Sequence, residues 1–237
     1  MRRALAIVSI CLAAAVGACG DEDEKESPGA ADTTPTQPTT ETQPQAGGDC
    51  EQATEPGTGE RRGKKPGKLD ADKTYRLKFT TNCGEFTIEL DPKSAPNTTS
   101  SLVELAEAGF FDGTTFHRIV PNFVIQGGDP QGTGQGGPGY EVVEAPPPNT
   151  RYTRGVVAMA KTEIDEPGTS GSQFYVVTAP DAQLPADYAV LGRVSAGQEV
   201  VDVIGALPTD QANPDPSQRE SPVNPVVIRA VRIDEKR

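Results

Sequence analysis

A single histidine, His117, stands in a chain of 237 residues, and that scarcity removes whole classes of chemistry. Zinc sites built on two or three imidazoles cannot be assembled, and a Ser-His-Asp triad would have to recruit His117 itself. Cysteine is nearly as sparse: Cys11, Cys19, Cys50 and Cys83 are the four, and none has the C-x-x-C spacing of a redox or zinc motif. No metal or other cofactor is expected. Basic charge is short as well. Lys and Arg number 22 against 34 Asp and Glu, a formal net charge of -12. Nucleic-acid binding requires clustered cations, so no such partner is expected. The one basic run, Arg61-Arg62-Gly63-Lys64-Lys65, reads as a solvated linker cluster rather than a lipid-binding patch. An apolar run of the ~20 residues that a permanent membrane helix needs is also missing.

What the N-terminus does have is a shorter apolar run between a basic start, Met1-Arg2-Arg3, and an acidic patch, Asp21-Glu22-Asp23-Glu24. Residues 1–18 therefore read as an export signal. Val16-Gly17-Ala18-Cys19 resembles a bacterial lipobox, which implies cleavage before Cys19, lipidation of its thiol, and an extracytoplasmic protein anchored to the cell membrane as a lipoprotein. Each acyl methylene buried in lipid adds roughly 0.8 kcal/mol to such an anchor. From residue 19 to 68 the chain is acidic, rich in Pro and Thr and almost free of large apolar side chains. A segment of that kind cannot offset its chain entropy by burial, and a disordered tether is expected. An exported chain allows a Cys50–Cys83 disulfide, but two cysteines fix no geometry and the pairing stays open.

Residues 69–237 read as one folded domain. Tyr75, Leu77 and Phe79 alternate with polar residues, Asn82-Cys83-Gly84 supplies a turn, and Phe86, Ile88 and Leu90 alternate again, predicting a β-hairpin. Pro92 and Pro96 open a helical stretch with Leu102, Val103, Leu105 and Ala106 on one face and Gly109 at its end. Short β runs follow at 115–119, 123–126, 156–160, 174–178, 189–194 and 226–233, with a second helix near 198–204 and a Pro-rich loop at 205–225. Many short strands separated by Gly and Pro, with few helices, predict a mainly β fold: a closed antiparallel barrel.

Gly132-Thr133-Gly134-Gln135-Gly136-Gly137 fits G-x-G-x-x-G formally, yet Pro138-Gly139 stands where the phosphate-binding helix would begin. A flexible glycine-rich loop on a groove wall is expected there. Two other stretches are more informative: Phe116-His117-Arg118-Ile119-Val120-Pro121-Asn122-Phe123-Val124-Ile125-Gln126-Gly127-Gly128-Asp129 and Gly171-Ser172-Gln173-Phe174-Tyr175-Val176-Val177. Together they resemble the cyclophilin-type peptidyl-prolyl cis-trans isomerases. The resemblance implies eight antiparallel strands closed into a barrel with two capping helices, no cofactor, and proline-containing polypeptides as partners.

It also implies roles by position. Arg118 would contact the prolyl amide, Gln126 and Gln173 would fix the substrate backbone, and Phe123, Val124, Tyr175 and Leu184 would line the proline pocket, with Tyr188 on its rim. Gly132, Ala160 and Lys161 match positions that touch peptide largely through backbone. Val124, Tyr175, Gln183 and Tyr188 depart from residues common in the family. The residues support this independently. Rotating an X-Pro bond breaks no bond, so it needs no acid, base or nucleophile, only a donor aimed at the twisted amide and an apolar grip on the ring. Arginine suits the donor role because its planar fork stays charged. Parity places Phe116, Arg118 and Gln126 on one face, and His117, pointing to the other, is expected to be a packed, hydrogen-bonded structural residue. A proline-peptide binding or chaperone module without turnover is the alternative, and Arg118 favours the enzyme.

Overall fold

The computed structural model describes residues 50–53 and 56–236. The expected signal, lipidated Cys19 and most of the tether lie outside them. The predicted hairpin forms from β1 (Thr74–Thr81) and β2 (Gly84–Leu90), paired in register from Arg76–Glu89 to Thr81–Gly84. Helix α1 (Pro96–Glu107) begins on a proline, whose missing N–H costs nothing in a first turn, and stops at Gly109, which turns the chain at φ 67°. There follow β3 (Arg118–Val120), β4 (Val124–Gly127), β5 (Val142–Val143), β6 (Val156–Met159), β7 (Thr169–Ser170), β8 (Phe174–Val177), β9 (Val190–Ala196), α2 (Gln198–Gly205) and β10 (Ile228–Lys236). The small β5–β7 pair has no counterpart among the predicted strands.

Eight strands make one antiparallel sheet in the order β10-β1-β2-β9-β6-β8-β4-β3. The inner face carries the main core, including Leu77, Phe79, Phe86, Ile88, Phe116, Ile119, Ile125, Phe174 and Val176, with α1 and α2 packed over it. The closed barrel expected from the sequence is not what these strands make. The sheet curls through 194° and remains open between β3 and β10. The chain just ahead of each edge strand spans the gap by an isolated bridge, Thr115 to Val227, and by the Phe116 N–H donating to the Val226 carbonyl at 2.9 Å. A reason lies in the chain itself. β3 has three residues, and the approach to β10 carries Pro222 and Pro225, which have no N–H to give to a ladder.

Within the stretch expected to be tether, the described residues 50–53 and 56–63 bond to the domain. Cys50 is bridged to Cys83, and the Glu51 N–H donates to the Asn82 carbonyl at 2.8 Å. Residues 56–63 then lie as a strap along the domain. The N–H groups of Gly57, Gly59 and Gly63 donate to the carbonyls of Gly113, Pro130 and Pro138 at 3.0, 2.9 and 2.8 Å. Arg61, read as a solvated linker charge, donates from Nη1 to the Phe110 and Asp112 carbonyls, both at 2.7 Å. Backbone hydrogen bonds, not apolar burial, hold this segment.

Candidate active site

Residues two apart on a strand share a face, and opposed residues on paired strands share a row. Arg118 on β3 faces Gln126 on β4, Gln126 faces Tyr175 on β8, and Tyr175 faces Ala158 on β6. This row runs across the outer face of the sheet, the side away from the main core. Phe116, expected on the face of Arg118, lies ahead of β3, outside the strand's alternation, and packs in the main core instead. β6 and β8 are buried at all four positions each, so their outward side chains are covered as well.

The cover is a second apolar cluster. Val124, Tyr152, Val156, Ala158, Tyr175, Val177 and Ala179 form its buried floor, and half-buried Phe123, Ala160, Leu184 and Tyr188 pack over it. All the side chains expected to line a proline pocket are thus brought together. Tyr152, which the sequence reading missed, braces the floor: its hydroxyl donates to the Tyr188 carbonyl at 2.7 Å and accepts from the Tyr188 N–H at 3.0 Å. Burial pushes its phenol up to about 12. The Tyr175 hydroxyl is buried with no hydrogen-bond partner among the described residues, and desolvation raises its pKa strongly.

Beside this slot runs a polar row. Arg118 Nη1 faces Gln126 Oε1 at 3.4 Å, Gln126 Nε2 donates to Gln173 Oε1 at 3.0 Å, and Gln173 Nε2 donates to the carbonyls of Gly134 and Gly136, both at 2.9 Å. Arg118 has a further partner: its Nε donates to Glu220 Oε2 at 2.5 Å. Glu220 comes from the Pro-rich 205–225 loop, and its carbonyl accepts from the Ile119 N–H at 2.7 Å, which seats it against β3. Nothing in the local sequence signals this contact, which spans 102 residues.

The glycine-rich loop is pinned, not flexible as expected. The buried Asp129 carboxylate accepts from the N–H groups of Gln131, Thr133 and Gly134 at 2.7, 2.9 and 2.6 Å. A Cβ at Gly136 would lie 1.9 Å from Asp129 Oδ1, so glycine is required by this approach. Desolvation opposes ionisation of Asp129, but backbone donors at Gln131, Gly136 and Gly134 outweigh it and lower the pKa. Gly132 stands apart from the polar row, at the start of the loop near Thr58 of the strap. Lys161 turns its ammonium to the Thr162 and Asp165 carbonyls, 3.1 Å each, and lies 5.5 Å from the Tyr188 ring centre. His117 is packed as expected, but neither ring nitrogen has a hydrogen-bond partner among the described residues, and burial lowers its pKa. A cavity of about 1140 Å³ opens next to the polar row, walled by Gln126, Gln173, the glycine-rich loop and the strap.

The family model "Cyclophilin type peptidyl-prolyl cis-trans isomerase/CLD" matches residues 76–233. The chain is 40% identical over 172 residues to peptidyl-prolyl cis-trans isomerase B of Streptomyces anulatus, covering 65% of this chain and 93% of that protein. It is 36% identical to peptidyl-prolyl cis-trans isomerase-like 1 of Aspergillus niger over 162 residues, 67% of this chain and 94% of the relative. A crystal structure of a Cryptosporidium parvum cyclophilin type peptidyl-prolyl cis-trans isomerase superposes with a TM-score of 0.61 at 28% identity, covering 69% of this chain and 99% of that one. The same protein was also solved in the presence of the dipeptide Ala-Pro, with a TM-score of 0.60.

Proposed function

Because the chain belongs to the cyclophilin-type peptidyl-prolyl cis-trans isomerases, we propose that the side chains gathered on the outer face of its sheet catalyse rotation about X-Pro bonds, with Arg118 as the donor. The barrier, about 18–20 kcal/mol for a peptide bond, is the loss of amide resonance as the bond twists. The prolyl nitrogen becomes pyramidal and basic in the twisted form, so a fixed donor beside it binds that form better than either planar isomer. Phe123, Val124, Tyr175, Leu184 and Tyr188 hold the pyrrolidine ring. Gln126 and Gln173 hold the flanking backbone, assisted by backbone groups at Ala160 and Lys161. With Nε engaged by Glu220 and Nη1 facing Gln126, Arg118 keeps Nη2 for the amide.

One observation carries this reading: the Arg118 head group sits in the polar row on the strands whose neighbouring positions build the apolar slot. Exchange NMR on an Ala-Pro peptide tests it. The wild-type chain accelerates exchange, and Arg118→Ala loses at least about tenfold, or 1.4 kcal/mol of barrier lowering. Equal peptide binding by both proteins, without acceleration by either, would instead assign a proline-binding module.

The substrates proposed are proline-containing exported polypeptides, met outside the cytoplasm by a protein tethered through lipidated Cys19. The Cys50–Cys83 bridge supports that setting, since disulfides persist in oxidising compartments. Mass spectrometry of the membrane fraction tests the anchor: an unmodified Cys19 terminus rules it out.

A further inference from the structure

The family match covers residues 76–233, yet the cavity beside Gln173 has walls contributed by Glu60, Arg61 and Arg62, which lie before it. We propose that the strap, residues 56–63, is a working part of the substrate groove and selects polypeptides by the charge they carry a few residues from the proline. This rests on the isomerase reading above and adds a specificity element to it.

The strap is built to stay in place. Its three glycine N–H groups are bonded to separate carbonyls of the domain, and Arg61 ties Gly57, Phe110 and Asp112 together from the two ends of its guanidinium. Gly63 passes so close to α1 that an added Cβ would lie 2.5 Å from Leu105 Cδ2 and 2.9 Å from Tyr140 Cε1. Upstream, the Cys50–Cys83 bridge and the paired Glu51 and Asn82 backbones staple its start to the β1–β2 turn. A passive linker would need none of this.

The strap also has chemistry to offer. Arg61 is committed to backbone carbonyls, which leaves Glu60 and Arg62 as the charges that the strap presents to the cavity, both on exposed residues. The rest of the lining adds Lys161, whose ammonium is already bonded to its own loop, the carboxylates Glu141 and Asp165, and the uncharged glycine-rich loop gripped by Gln173, so the strap supplies the two arginines of a wall otherwise weighted toward acid. An extended chain advances about 3.3–3.6 Å per residue, so a peptide seated at Arg118 and passing Gln173 enters this cavity within a few residues. A blocked Ala-Pro dipeptide is too short to do so.

The test uses the full-length protein and the charge reversals Arg62→Glu and Glu60→Lys. Substrates are a blocked Ala-Pro dipeptide and decapeptides with one X-Pro bond and a Glu or a Lys three residues before or after it. Exchange NMR gives kcat/KM and fluorescence anisotropy gives affinity. The Glu-to-Lys peptide preference is expected to shift at least fivefold toward Lys in Arg62→Glu and toward Glu in Glu60→Lys. Both shifts should vanish in about 1 M salt, where the Debye length is ~3 Å. The dipeptide should change less than twofold. Unchanged preferences, or an equal change on all substrates, would overturn the proposal. Charge-dependent affinity without acceleration of any substrate would leave the strap assignment standing and overturn the isomerase reading.

Discussion

Arg118 meets Glu220 before any substrate arrives, and a donor whose fork is already oriented loses less freedom on engaging the twisted amide. The pair is partly exposed, 35% and 42% of the two side chains, so its worth is geometric more than Coulombic. Glu220→Gln keeps an acceptor for Nε and should remain within about threefold of wild type. Glu220→Ala frees the guanidinium and should lower kcat about tenfold, near 1.4 kcal/mol, with KM little changed. A common fall in both variants would point to charge rather than orientation. Tyr175 is a different case. A buried hydroxyl without a partner costs about 1–3 kcal/mol, so Tyr175→Phe should raise stability by about 1 kcal/mol in urea unfolding while conserving the slot's shape.

Among the elements, the strap and the glycine-rich loop show how polar segments become ordered without a core of their own. Asp129 satisfies three loop N–H groups from one carboxylate, and Gln173 satisfies two loop carbonyls from one amide. Helix α1 is handled similarly. No side chain of its own caps it, and Glu144, from beyond the glycine-rich loop, accepts from the Asn97 and Thr98 N–H groups at 2.9 and 2.7 Å. The strap's anchor is covalent. Closing a loop across a separation of 33 residues removes enough unfolded-chain entropy to contribute about 3–4 kcal/mol. Reduction of Cys50–Cys83 should therefore lower the urea midpoint substantially, and an unchanged midpoint would mean that the bridge constrains nothing that unfolding releases.

For the molecule as a whole, activity and stability should respond differently to pH. The proposed chemistry relies on a guanidinium, so kcat/KM should be flat from about pH 6 to 9. Stability should not be. Burial lowers the pKa of His117 from 6.5, so the unfolded chain takes up a proton that the folded chain refuses, and stability falls as pH drops from 6.5 toward the lowered value. Asp129 is lowered from 3.8 by its backbone donors, despite desolvation, so its contribution is complete above 3.8 and is lost below that. Urea unfolding at about pH 7 and pH 5 reads the first step. His117→Gln should flatten that segment and leave the acid limb in place.

The amino-acid sequence by itself determined the eight strands of the main sheet, the two helices and the facing of Arg118 and Gln126, but not β5, β7, Tyr152 or Glu220. Alternation of apolar and polar residues is a local property, and the parity that sets Arg118 beside Gln126 survives any curvature of the sheet. The outward row was readable for the same reason, since Val124 and Gln126 on β4, and Tyr175 and Val177 on β8, are spaced by two. Tertiary structure alone decided the rest. Whether the sheet closes depends on how far short, proline-flanked edges can pair. The partners of Arg118 Nε and of Cys50, and the docking of a strap without apolar residues, depend on contacts 33 to 102 residues apart. No local period encodes such a meeting, because what brings its two sides together is the packing of everything between them.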